Sequence, residues 1–158
     1  MHLEVDIQAA STEPAPDEDD IRRWIAAALE GRRAEAEVSV RLVDETEMAT
    51  LNQTYRDKPG STNVLSFPAA LPDDIEHPLL GDIVLCPAVI NREAAEQRKT
   101  AAQHWTHMLV HGSLHLLGYD HIRADEAEAM ESLETAILAR LGLPCPYRED
   151  TSDTGVEA

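Results

Sequence analysis

The chain has 158 residues, 43% of them apolar, which suits one globular domain with a real buried core. Its 13 Lys and Arg against 30 Asp and Glu give a formal charge of −17, which by itself argues against a polyanionic partner. No apolar run is long enough to span a bilayer, and the start MHLEVDIQ lacks the basic head and apolar middle of a signal peptide, so a cytoplasmic protein with no membrane partner is expected.

Taken in chain order, residues 2–8 alternate as a strand, with Leu3, Val5 and Ile7 on one face. STEPAPDEDD is a Pro- and acid-rich loop. Asp17 to Asp20 place negative charge at a helix start, where the helix dipole favours it. Ile21, Trp24, Ile25, Ala28 and Leu29 then recur at helical spacing, and Gly31 can close that helix. Val38, Val40 and Leu42 mark a second strand. Asp44 and Glu47 form a D-x-x-E start for a helix whose inward stripe is Met48, Leu51 and Tyr55. DKPGS is a turn, TNVLSF a strand stopped by Pro68, residues 69–80 a polar loop, and GDIVLC a short strand stopped by Pro87.

From there the pattern is helical. Pro87 suits a first turn. Thr100 with Gln103 caps a helix over 101–117 that is apolar nearly all round, as a buried helix is, and Gly118 ends it. A last helix spans about 124–141, with Ala127, Met130, Leu133, Ile137, Leu138 and Leu141 inward and Asp125, Glu126, Glu128, Glu131 and Glu134 along an acidic line. The order β α β α β β α α α, without internal repeats, predicts an α+β domain over 1–143. A small mixed sheet packs with about five helices around a buried central one. Residues 144–158 read as an acidic tail. Cys86 and Cys145 form no CxxC pair or framework and read as reduced, partly buried thiols.

The segment HGSLHLLGYDH carries the chemistry. His111 and His115 stand one above the other on a helix, so both imidazoles reach one ion at about 2.0–2.1 Å. Gly118 lets the chain reverse and bring His121 back, giving three histidines and an open fourth position, which is the arrangement of catalytic zinc. His107 cannot join His111 and His115 on the same ion, because the three span about 12 Å of helix rise. It is either a partner outside the ligand set or a packed core histidine, and packing is favoured. His104 lies near the site mouth or is merely solvated.

The three histidines and the glycine match H-E-x-x-H-x-x-G-x-x-H in register, but position 112 is glycine where that frame has its glutamate base. The frame therefore fits a metal hydrolase and argues against a protease. Gly112 costs about 1 kcal/mol of helix propensity, so a close approach by substrate or backbone should offset it. Phosphodiester cleavage asks less of a protein base and more of a cation beside the phosphate, and in RNA the 2′-hydroxyl can be the nucleophile. Arg56, just past a helix, is the obvious cation, or else a surface arginine. Asp120 could orient a histidine or accept a proton, or else simply shape the turn. The acidity is also uneven: residues 91–123 carry Arg92, Arg98, Lys99 and Arg123 against Glu93, Glu96 and Asp120.

HMLVHGSLHLLGYDH, LNQTYRDKPGSTNVLSFP and LGDIVL together resemble the YbeY family of bacterial metal-dependent endoribonucleases, in that family's order and spacing over about residues 2–143. The resemblance implies a zincin-like fold and one zinc ion per chain on His111, His115 and His121. It also implies cleavage of single-stranded RNA in maturation of small-subunit rRNA, notably at the 3′ end, with a part in ribosome quality control. The expected partners are therefore rRNA, the small ribosomal subunit and its assembly factors, and the residue matching Arg56 is functionally important. One departure is Asn63, where the family often has aspartate in T-D-V-L-S-F. A different class of reading is a ribosome-assembly or RNA-binding factor whose metal is mainly structural.

Overall fold

The computed structural model describes residues 2–69, 78–119 and 124–144. The elements follow the predicted order: β1 (His2–Ala9), α1 (Glu18–Leu29), β2 (Glu35–Leu42), α2 (Glu45–Arg56), β3 (Val64–Pro68), β4 (Leu79–Leu85), α3 (Pro87–Glu96), α4 (Ala101–Leu116) and α5 (Ala124–Arg140). The four strands form one mixed sheet in the order β1-β2-β4-β3. β1 and β4 run parallel to β2, and β3 pairs antiparallel with β4 along the sheet's edge.

Local chemistry sets the helix ends. Asp44 accepts from the Glu47 backbone N–H at 3.0 Å, but the Glu47 carboxylate does not complete a box. It takes two hydrogen bonds from Arg41 instead, at 2.8 and 3.2 Å. Thr100 and Gln103 form the full reciprocal box at the start of α4. Pro87 opens α3. Two sequence boundaries move: β4 begins at Leu79 inside the expected polar loop, and β3 begins at Val64 and runs through Pro68, the residue expected to stop it, which an edge strand tolerates.

The sheet carries a core on each face. Ile83 and Leu85 of β4 join Val38, Val40 and Leu42 of β2, and pack against Ile21, Ile25 and Leu29 of α1 and Trp105 and Leu109 of α4. On the opposite face Leu65 and Val84 pack with Val43, Met48, Cys86 and Val89. The far side of α4 (Val110, Leu114) meets Met130, Ile137 and Leu138 of α5. α4 thus has the sheet on one side and helices on the other, which is why it is apolar nearly all round. Tyr55 departs from its expected buried stripe: it is 63% exposed and meets Phe67 edge-on at 5.2 Å. The last turn of α2 meets β3 through Tyr55 and Arg56 yet leaves most of the Tyr55 ring to solvent. Cys86 is a buried free thiol, and burial pushes its pKa up.

Candidate metal centre

α4 enters the sheet's edge at Gly112. A β-carbon there would lie 3.1 Å from Ile83 Cγ2, 3.2 Å from Ser66 Oγ and 3.4 Å from Val64 Cγ2. The close approach that offsets the glycine's propensity cost is therefore the sheet itself. Ser66, buried on β3, fastens the contact by donating from Oγ to the Gly112 carbonyl at 3.0 Å. This holds the His111–His115 turn against the edge strand.

The two histidines face each other as the helical spacing requires. Their Nε2 atoms are 3.1 Å apart. His111 Nδ1 lies 2.7 Å from Glu134 Oε2, and His115 Nδ1 lies 2.9 Å from the Tyr119 carbonyl. Carbonyl and carboxylate oxygens only accept, so both Nδ1 atoms carry hydrogen. In neutral rings both Nε2 atoms then present lone pairs to one another. A cation between them resolves that conflict. Two nitrogens on one tetrahedral zinc are about 3.3 Å apart, close to the observed separation. The donor set therefore fits a divalent metal. His121 and Asp120 lie outside the described residues.

Behind this pair sits a residue the sequence did not single out. Glu134 of α5 is fully buried, and its other oxygen, Oε1, is 3.0 Å from His107 Nε2. His107, His111 and Glu134 can themselves be grouped as possible metal donors within 4.8 Å of one another. His107 is thus more than a packed core histidine. Burial holds its imidazole below the ordinary pKa, against the raising pull of Glu134. A signal for Glu134 was available. Met130, Glu134, Ile137 and Leu141 share one helical stripe, so the acid sits among inward positions.

An open cleft of about 460 Å³ adjoins the pair, lined by Asn63, Val64, His107, Met108, His111, Ala127 and Glu131. Asn63 is fixed at its edge: Nδ2 donates to Glu93 Oε1 at 3.0 Å, and Oδ1 accepts from the Val64 N–H at 2.7 Å. His104 is neither at the site mouth nor solvated. It is 3% exposed, with Nε2 2.8 Å from Glu93 Oε1. Burial works to raise the Glu93 carboxyl, but hydrogen bonds from His104 and Asn63 outweigh it and hold the group below the usual carboxylate range.

Arg56 closes α2 and donates from Nη2 to the Ser66 carbonyl at 3.1 Å. One residue, Ser66, thereby links the candidate cation to the metal helix. Asp57 next to it takes a left-handed conformation, φ 56°, that ends α2 and turns the chain toward β3.

Comparison with known proteins agrees along nearly the whole chain. The family model described as Endoribonuclease YbeY matches residues 6–142. A Pseudomonas putida protein named Endoribonuclease YbeY is 56% identical over 153 residues, covering 96% of this chain and 98% of its own. A protein of the same name from Stutzerimonas stutzeri is 54% identical, covering 98% and 97%. A Thermotoga maritima protein solved in solution shares the fold, with TM-score 0.58 at 24% identity over 87% of this chain and 91% of its own.

Proposed function

This chain belongs to the YbeY endoribonuclease family, and on that premise we propose that it is a zinc-dependent endoribonuclease that cuts single-stranded RNA during maturation of small-subunit rRNA, notably at the 3′ end, with a role in ribosome quality control. The observation that carries the zinc reading is the opposed Nε2 pair of His111 and His115, 3.1 Å apart, with His111 lining an open cleft. His111, His115 and, by the family's motif, His121 would hold one ion per chain. On this reading the hydrolase unit takes residues 1–143, and 144–158 are an acidic tail.

A zinc ion bound there supplies a Lewis acid for the phosphate oxygen or a more acidic water. The chain's own residues do the rest. Arg56 brings a planar guanidinium with one donor spent on Ser66 and others left to pair with a phosphate. The Ser66–Gly112 hydrogen bond holds Arg56's anchor in register with the metal helix. Gly112 removes the glutamate base of peptide-cleaving frames, which phosphodiester cleavage needs less. Asn63 keeps the cleft edge neutral, where an aspartate would face Glu93. The open cleft beside His111 favours a catalytic metal over a mainly structural one. Among the described residues no helix is long and apolar enough to cross a membrane, and an rRNA substrate would support the reading of a cytoplasmic protein.

The test is cleavage of a labelled RNA carrying one single-stranded and one duplex segment, with and without zinc. The expected result is zinc-dependent cuts within the single strand. Cuts spread equally over both segments, or no cuts while zinc is bound one to one, would contradict the proposal.

A further inference from the structure

We infer that Glu134 is a positioning residue for the metal. It locks His111 in the tautomer that presents Nε2, and His107 holds the carboxylate in place. This rests on the proposed zinc site.

Three observations support it. The carboxylate is fully buried, where an unpaired charge is costly, yet each oxygen has an imidazole partner: His111 Nδ1 at 2.7 Å and His107 Nε2 at 3.0 Å. Both distances are hydrogen-bond lengths. The 2.7 Å contact to His111 is well short of the separation of about 3.3 Å between two donors on one tetrahedral ion. Finally, the His111 atom facing Glu134 is Nδ1, while Nε2 of the same ring faces His115. A ring cannot give one nitrogen to the carboxylate and the same nitrogen to the metal. The division of labour is carboxylate to Nδ1–H and metal to Nε2, and such partners commonly raise the basicity of a ligating imidazole.

α5 then does more than cover α4. It places one acid behind the metal turn, and the His107–His111 spacing of one helical turn lets both rings reach it. His107 needs no metal bond to matter: its N–H occupies the oxygen that His111 does not use.

The test compares the wild-type chain with Glu134→Gln, a near-isosteric change that keeps an acceptor for His111. Zinc dissociation constants are read by chelator competition, melting temperature in parallel, and cobalt substitution reports the ligand set. Glu134→Gln should weaken zinc binding about 10- to 100-fold while the cobalt visible spectrum keeps its shape. Unchanged zinc affinity with a lowered melting temperature would reduce Glu134 to a packing role and overturn the inference. A changed cobalt spectrum would make Glu134 a ligand and also overturn it. Should the variant not fold, nitrogen-15 spectra of zinc-loaded wild-type protein still decide. Nδ1–H with metal on Nε2 of His111 supports the inference; the reverse tautomer defeats it. His115→Ala separates the two levels: if it leaves zinc affinity intact, the site reading itself has failed.

Discussion

Ser66 and Gly112 meet at the point where the edge strand touches the metal helix, and their energetics can be separated. Ser66→Ala removes one buried hydrogen bond to a carbonyl that also serves the helix, so the cost should be about 1 kcal/mol. Gly112→Ala gains about 1 kcal/mol of helix propensity but must push back Ile83, Ser66 and Val64. Overpacking of this kind costs about 1–3 kcal/mol, so melting temperature should fall. The double variant removes one of the tight contacts and should lose less than the sum of the singles in urea titration. Full additivity would mean that the two groups do not press on each other. Glu93 gives a pH prediction. Its folded pKa is depressed, so its contribution is present above the ordinary glutamate value of about 4.3 and is lost as pH falls through the lower folded value. The urea-midpoint advantage of wild type over Glu93→Gln should therefore be constant near neutrality and shrink as pH falls into that acid range. An advantage that grew on acidification would reverse the sign of the argument.

At the scale of elements, β4 is the tightest joint. Gly81 has φ 143°, and a β-carbon there would collide with the Phe67 carbonyl and come within 2.9 Å of Pro68 Cα. Gly81→Ala should destabilise by about 3 kcal/mol or more, seen as lost soluble expression or a large fall in melting temperature. A melting temperature close to wild type would show that the strand pair can shift to admit the side chain. The same scale shows what could be read from the chain. Element order followed from period alone, because strands alternate and helices carry stripes. Tyr55 misled because a stripe continues to the last turn whether or not anything lies beneath that turn. His104 misled because α4 is apolar on every side, which leaves no polar face to orient it. Glu134 was hidden among Asp125, Glu126, Glu128 and Glu131, whose spacing resembles a solvated face. The histidine pair was readable because helical spacing alone brings i and i+4 together.

For the whole molecule, the charge of −17 and the glutamate in the cleft mean that RNA meets little general attraction. On the proposed reading affinity comes from few phosphate contacts, Arg56 among them. Each neutralised phosphate of a single strand contributes about −0.7 to the slope of log affinity against log salt. A slope near −1 is expected by fluorescence anisotropy, and one steeper than about −4 would mean a basic groove and contradict this reading. The most direct measurement is cleavage of a labelled single-stranded RNA by highly purified protein that is zinc-loaded, chelator-stripped and re-zincated, with His115→Ala and Arg56→Ala alongside. Activity should vanish on stripping, return with zinc, and be lost in His115→Ala and strongly reduced in Arg56→Ala. Cleavage that persists in His115→Ala or in stripped protein would contradict a zinc-dependent nuclease built on this histidine pair.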